Sequence, residues 1–414
     1  MQTNFKSKQL KDPRIAEVEK ILRKCVHCGF CTATCPTYQL LGDELDGPRG
    51  RIYLVKQVLE GAAPTERTRL HLDRCLTCRS CETTCPSGVQ YARLLDIGRR
   101  IVEEKTRRGA LDRLWRAVLR AVLPRRERFA PLLALGRALR PLLPAGLREK
   151  VPPRRDPGAR PAPRHARRLL ALAGCVQPAL APQINAAAAR VLDRLGISLI
   201  EPRDAGCCGA LRYHLNDQEG GKRDMRALMD AWWPQLEEGH VEGVVVTASG
   251  CGAMIREYAH LFERDAAYAQ RAARVTLAAR DLAEVVAAEA HALEKLLAGA
   301  PRRGRVAFQS PCTLQHALGI RGTVERLLER AGYELTSVPE AHLCCGSAGA
   351  YSLLMPEISN ELRRRKLAAL ESGSPEAIAT ANIGCLVHLQ AGTRLPVRHW
   401  IELLDEALAD APRE

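Results

Sequence analysis

Between residues 111 and 123 the apolar positions Leu111, Leu114, Trp115, Val118, Leu119, Val122 and Leu123 recur at helical spacing. That period predicts a helix with one apolar face, and Arg113, Arg116 and Arg120 lie off the stripe. A second apolar and basic stretch runs from Pro131 to Leu147, and the Pro- and Arg-rich segment from Val151 to Pro163 reads as a linker. Upstream, Pro48 and Gly61 frame a further helix. Downstream the pattern changes to short apolar runs: Leu169 to Ala173, Val244 to Thr247, Val306 to Phe308 and Ala377 to Thr380. These read as strands, with helical segments such as Ala186 to Leu195 and Thr323 to Ala331 between them. Strands alternating with helices predict α/β units around a parallel sheet.

Charge sharpens the division. The net charge of +15 is regional: from Arg99 to Arg168 there are 21 Lys and Arg against 6 Asp and Glu, and the remainder of the chain is neutral. Aromatic residues make up 4% of the chain, too few for a base-stacking platform, so nucleic acid is not expected as a partner. No run approaches the roughly eighteen apolar residues of a spanning helix. The first residues, Met1-Gln2-Thr3-Asn4-Phe5-Lys6, lack the apolar core of a secretory signal. A cytoplasmic chain is therefore expected, and its 16 cysteines read as metal sites rather than disulfides.

Eight of those cysteines form two matching runs. Cys25-x2-Cys28-x2-Cys31-x3-Cys35-Pro36 recurs as Cys75-x2-Cys78-x2-Cys81-x3-Cys85-Pro86. This is the run that holds [4Fe–4S] clusters in two-cluster bacterial ferredoxins, where the fourth cysteine of each run serves the other cluster. Cys25, Cys28, Cys31 and Cys85 should hold the first cluster, and Cys75, Cys78, Cys81 and Cys35 the second. A pair of structural zinc sites is the bland alternative, but zinc has no need of the fourth Cys-Pro member. Arg49, Arg51, Arg74 and Arg79 lie near the runs, and guanidinium charge there would favour the reduced state of an anionic cluster.

The other eight fall into an internal repeat. Cys175, Cys207-Cys208-Gly209 and Cys251 form one set; Cys312, Cys344-Cys345-Gly346 and Cys385 form the second. The offset is 137 residues for the first three cysteines and 134 for the last. Each set follows strand-like runs, and ligands of parallel sheets bind beyond the strands' carboxyl ends. Four thiols per repeat suit a further cluster, zinc or a structural role. His214, His316 and His388 are added candidates for metal ligation or proton handling. No Gly-x-Gly-x-x-Gly follows a strand, and neither a Gly-x-Ser-x-Gly elbow nor a phosphate loop occurs. The chain reads as an electron relay without a catalytic site of its own.

The expected architecture is α plus α/β. A helical ferredoxin-like domain with two clusters occupies residues 1–105, and a basic amphipathic connector and linker residues 106–165. The two Cys-Cys-Gly α/β domains follow, at residues 166–300 and 301–414.

Longer segments carry a family resemblance: Cys25 to Tyr38, Gly42 to Arg51, Ala205 to Ala210, Thr247 to Gly252, His342 to Gly349, Thr380 to Cys385 and Val397 to Glu402. Through these the chain resembles the iron–sulfur subunits of bacterial glycolate oxidase (glycolate dehydrogenase), over nearly its whole length and least in the connector. The resemblance implies a complex with a flavin-containing catalytic subunit and a second flavoprotein-like subunit. The flavin subunit would oxidise glycolate to glyoxylate, and this chain would pass electrons towards a quinone at the inner face of the cell membrane. More distant likenesses are to the corresponding subunits of lactate-utilisation enzymes, anaerobic glycerol-3-phosphate dehydrogenase and heterodisulfide reductase. In the last, each repeat ends in Cys-x-x-Cys; here Ala248 and Asn382 stand at the first of those positions, which departs from the ligand set of its unusual cluster. A module that anchors to a membrane and carries structural metal is the reading from a different class.

Overall fold

The computed structural model describes residues 1–142, 144, 148 and 151–412. The chain forms two compact units: residues 1–117 with 342–366, and residues 118–341 with 367–414.

The first unit is helical. Its amino-terminal part contains α1 (Pro13–Lys24), α2 (Phe30–Ala33), α3 (Pro36–Leu41), α4 (Pro48–Leu59), α5 (Glu66–Asp73), α6 (Ser80–Thr84) and α7 (Tyr91–Lys105). Proline opens α1, α3 and α4, where its missing N–H costs no hydrogen bond. The core joins Val18, Ile21 and Leu22 of α1, Ile52, Val55 and Val58 of α4, and Leu94, Leu95 and Val102 of α7. Helices α4 and α7 approach closely because Gly98 faces Val55; a Cβ there would lie 2.4 Å from Val55 Cγ2. Residues 342–366 complete this unit: the Tyr351 hydroxyl donates to Arg74 O at 3.0 Å, and the Ser359 hydroxyl to Gly346 O at 2.8 Å.

The helix predicted around residues 111–123 is α8 (Ala110–Val122), and it is turned the opposite way to an ordinary surface helix. Arg116 is 7% exposed, bonded to Asp112 at 2.9 Å and to Asp73 at 3.3 Å. Arg108, just before the helix, is buried against Asp73 at 2.6 Å and Glu103 at 2.7 Å. These ion pairs leave Leu111, Leu114, Trp115 and Val118 at 83%, 62%, 45% and 39% exposure, while Leu119 is buried. Beyond it lies α9 (Arg126–Ala138); part of the stretch expected up to Leu147 lies outside the described residues.

The second unit holds two parallel four-stranded sheets of identical order. In the first, β1 (Arg167–Ala171), β2 (Ile197–Ile200), β3 (Gly243–Val246) and β4 (Ala279–Asp281) run β2-β1-β3-β4. In the second, β5 (Arg305–Gln309), β6 (Glu334–Leu335), β7 (Ala377–Thr380) and β8 (Val397–His399) run β6-β5-β7-β8. The repeat seen in the cysteines is thus a repeat of topology. Cys175 and Cys251 follow the central strands β1 and β3, and Cys312 and Cys385 follow β5 and β7, where the order reverses and loops diverge.

Backbone and side chains tie the two sheets together. Ser249 N donates to Ala381 O at 3.2 Å, the Ser249 and Thr313 hydroxyls are 2.7 Å apart, and His399 Nε2 lies 2.9 Å from Thr247 O. His399 is fully buried, and its Nδ1 accepts from Ile401 N at the start of the last helix. One ring nitrogen donating and the other accepting requires the neutral imidazole. Burial lowers its pKa to about 4.

Candidate metal centres

The two cysteine runs adopt one backbone form. In the first, His27 and Gly29 take φ of 58° and 88°; in the second, Thr77 and Arg79 take 54° and 61°. Left-handed conformations at three non-glycine residues cost energy, and they turn successive thiols and N–H groups towards one side. Each run then enters a short helix, α2 or α6, and closes on Cys35 or Cys85.

Two adjacent cavities result. The outer one, about 450 Å³ including space open to solvent, is lined by Cys25, Cys28, Cys31 and Cys85, with Arg49, Cys81 and Tyr91 also on its wall. The inner one has about 360 Å³ and is lined by Cys35, Cys75, Cys78 and Cys81, with Thr37, Arg51 and Tyr91. Thiol electrostatics sort the same way. Burial, then the neighbours Cys25, Cys85 and Cys28, pushes the Cys31 thiol up to about 11. Burial, then Cys78, Cys75 and Cys35, pushes Cys81 well above its usual range. Binding iron removes these protons, so cluster uptake relieves both.

The donor set fits [4Fe–4S] clusters on a further observation. The hydroxyl of Tyr91 is buried and has no hydrogen-bond partner among the described residues. Its pKa is raised by burial and then by Cys75, which places the hydroxyl beside the inner thiols. A sulfur acceptor in the inner cavity would satisfy it. Thr77 N already donates to Cys75 Sγ at 3.4 Å.

The environments differ. Cys28 is exposed and flanked by Val26 and Phe30, at 68% and 60% exposure. In the inner set, Cys35, Cys75 and Cys81 are buried and Cys78 is half-buried. Of the arginines singled out from sequence, Arg49 pairs with Glu44 at 2.6 Å and Arg79 lies 4.0 Å from Glu82. Arg51 and Arg74 both reach the buried Asp46, at 3.5 and 2.7 Å. Thr37, Asp46 and Tyr91 were not among the sequence candidates. Tyr91, six residues past Cys85, carried only its position as a signal.

In the first repeat the four thiols converge. Cys175 hydrogen-bonds Cys207, Cys207 hydrogen-bonds Cys208, and Cys208 bonds to Cys251. Donation by Cys175 and Cys208 holds Cys207 well below its ordinary range, while those two thiols are pushed well above theirs. Gly209 N donates to Cys207 Sγ at 3.4 Å, and the buried Tyr258 hydroxyl donates to Cys208 O at 2.8 Å. Burial, followed by the Cys207 charge, raises the Asp224 carboxyl to about 6.

The second repeat reproduces the Cys-Cys-Gly turn: Gly346 N donates to Cys344 Sγ at 3.4 Å. Both glycines have positive φ, 79° and 90°, and a Cβ on either would meet a backbone oxygen at 2.5 Å, Gly221 O or Ser359 O. Glycine is required at both turns. Cys344 and Cys345 belong to the first compact unit, Cys312 and Cys385 to the second. Asn382, where Ala248 stands in the first repeat, donates from its amide to Cys385 Sγ at 3.5 Å. His214 and His316 are half-buried and His388 is buried.

Comparison with known proteins agrees with this layout. Residues 21–89 match the family model of a 4Fe-4S dicluster domain, and residues 169–256 and 306–390 match that of a cysteine-rich domain. The chain is 55% identical over 410 residues to the glycolate oxidase iron-sulfur subunit of Escherichia coli K12, covering 99% of each chain. It is 31% identical over 402 residues to the probable glycolate oxidase iron-sulfur subunit of Bacillus subtilis, covering 90% of this chain and 89% of that one. Lactate utilization protein A of Geobacillus kaustophilus is 28% identical over 229 residues, 54% of this chain and 92% of the relative.

Proposed function

Because the chain belongs to the family of glycolate oxidase iron–sulfur subunits, we propose that it is the electron relay of a flavin-dependent glycolate dehydrogenase complex. A flavin-containing subunit oxidises glycolate to glyoxylate, a second flavoprotein-like subunit completes the complex, and this chain moves the electrons towards a membrane quinone. The observation that carries the reading is the pair of adjacent four-thiol cavities. Cys25, Cys28, Cys31 and Cys85 hold one [4Fe–4S] cluster, and Cys35, Cys75, Cys78 and Cys81 the other. Bound there, the clusters accept and release electrons one at a time. Val26 and Phe30 around the exposed Cys28 give a redox partner an apolar surface directly over a cluster ligand.

Cys175, Cys207, Cys208 and Cys251 hold a further metal centre. Their shared protons mark thiols poised for deprotonation by a metal. Cys312, Cys344, Cys345 and Cys385 are the equivalent candidates in the second repeat.

Among the described residues no helix is long and apolar enough to cross a membrane. Contact with the bilayer is instead peripheral, through the exposed stripe of α8. Such a face gains from apolar insertion, and the surrounding basic segment from anionic lipid, at about 1 kcal/mol per Lys or Arg near the surface. Since Leu119 is buried, Leu114 and Trp115 are the residues to change. A Leu114→Glu, Trp115→Glu chain should lose flotation with anionic vesicles, and equal flotation of both proteins removes the membrane contact.

The central test is catalytic. The full chain loaded with iron and sulfide should not oxidise glycolate with an artificial electron acceptor, and should be reduced by glycolate once flavoprotein subunits are added. Turnover by this chain alone overturns the relay. Lactate or glycerol 3-phosphate serving as donor in place of glycolate corrects the substrate and leaves the relay standing.

A further inference from the structure

The two cluster cavities are built by near-copies of one run, but the charge buried beside them is not copied. Arg51 is wholly buried. Its Nε donates to His71 O at 2.6 Å, and Nη1 and Nη2 both donate to Thr37 Oγ1 at 3.1 Å. The Thr37 hydroxyl donates onward to Asp46 O at 2.8 Å and lies 3.3 Å from Cys35 Sγ. The guanidinium is therefore one hydroxyl away from a thiol of the inner set. Asp46 is its counter-ion, but Asp46 is shared with Arg74 at 2.7 Å and with His71 Nδ1 at 3.0 Å. One carboxylate thus faces two guanidinium groups. Arg99, also buried, donates to Cys75 O at 2.6 Å and to Leu72 O at 2.8 Å, and adds a third cation. At the outer cavity, Arg49 is 36% exposed on its side chain and already bonded to Glu44.

A buried ion network of this kind is a poor device for stability, since apolar residues fill such space as well. Its excess of positive charge has a different use. Adding an electron to an anionic cluster adds negative charge, and a fixed cation in a low-dielectric surround stabilises that form.

We propose that Arg51, acting through Thr37, together with the Tyr91 hydroxyl, stabilises the reduced state of the inner cluster and sets its potential independently of the outer one. This rests on the reading that the two cavities hold [4Fe–4S] clusters. Arg51 and Tyr91 are positioning residues: they supply charge and a hydrogen bond to the ligand shell and touch no substrate.

The experiment is a redox titration of the full, iron-loaded chain followed by electron paramagnetic resonance. The two signals are assigned with Cys28→Ser for the outer cluster and Cys78→Ser for the inner. In Arg51→Met the reduced-to-oxidised ratio of the inner signal, at a fixed poise, should fall by about tenfold or more, which is about 59 mV for one electron. The outer signal should move far less. Arg51→Lys, which keeps the charge, should restore most of the shift, and Tyr91→Phe, whose ring borders both cavities, should give a smaller fall that is larger for the inner signal than for the outer. Unmoved potentials in Arg51→Met, or equal movement of both signals, overturn the proposal. If Arg51→Met does not assemble, Tyr91→Phe decides, because its hydroxyl bonds nothing among the described residues; an unchanged inner potential there also overturns it. Failure of the parent chain to show two reducible centres would instead remove the cluster reading itself.

Discussion

The outer and inner cavities of the first unit share ligand type, spacing and backbone form, and differ in nearly everything around them. The outer set has an exposed thiol, two exposed apolar neighbours and an arginine neutralised by Glu44. The inner set has three buried thiols and lies beside the buried Arg51, whose counter-ion Asp46 is shared with Arg74, and beside Arg99, which bonds Cys75 O. The cysteine run decides which cofactor is held; the second layer of residues decides how readily it takes an electron and which surface it shows.

The largest effect that could break this comparison is loss of one site alone. Cys85→Ala should remove the outer cluster and leave the inner one, so that iron from the two cavities falls from about eight atoms to about four. Loss of the inner signal instead would mean the fourth cysteines are not exchanged between the runs.

Next in size is Asp46→Asn. It leaves the buried Arg51 and the half-buried Arg74 without their shared counter-ion, and should cost about 3–5 kcal/mol, read from chemical denaturation of the full chain. A cost below about 1 kcal/mol would show that the inner charges are solvated and not a fixed field.

Acid offers a control outside both cavities. His399 is neutral in the folded chain with its pKa lowered to about 4, against about 6.5 unfolded. The unfolded chain takes up the proton first, so stability should be complete above about pH 6.5 and fall as the pH drops towards 4. The loss is up to about 3 kcal/mol. His399→Gln should flatten that dependence while leaving the difference between the two clusters intact. An unaltered pH profile would show that His399 is not the titrating group.

The smallest effect belongs to Arg49→Gln. A half-exposed pair is worth about 0–1 kcal/mol, and the outer potential should shift less than the inner one does in Arg51→Met. A shift as large as that would erase the distinction between the sites.

Some of this was legible in the chain and some was not, for physical reasons. Strands β1, β3, β5 and β7 announce themselves as apolar runs ahead of cysteines, because central strands are buried on both faces. The edge strands do not: β6 has two residues, and β4 follows directly on the helix Ala269–Ala278 with no break in pattern. The ligand candidates were readable from spacing, since thiols at fixed intervals have few other uses. The buried cations were not. Arginine is ordinarily a surface residue, and nothing local distinguishes Arg51 or Arg116 from Arg49 or Arg113. Their burial depends on Asp46 and on Asp73 and Asp112, partners of which only the helical neighbour of Arg116 lies within one turn. The amphipathic pattern of α8 was correctly read as a helix, but much of the stripe that ordinarily faces the core faces outward, because Arg116 on the opposite side is held inward by Asp73 and Asp112.

The inclusion of residues 342–366 in the first compact unit has a consequence for how the protein is made. Domains ordinarily fold in the order in which they are synthesised, at about 5–20 residues per second. Here the segment that supplies Tyr351 to the backbone of Arg74 leaves the ribosome only after both sheets have been begun. The amino-terminal unit must wait on the order of ten to fifty seconds for its last piece. During that interval the cysteines of both runs have been translated while the segment that packs on the backbone beside Cys75 has not.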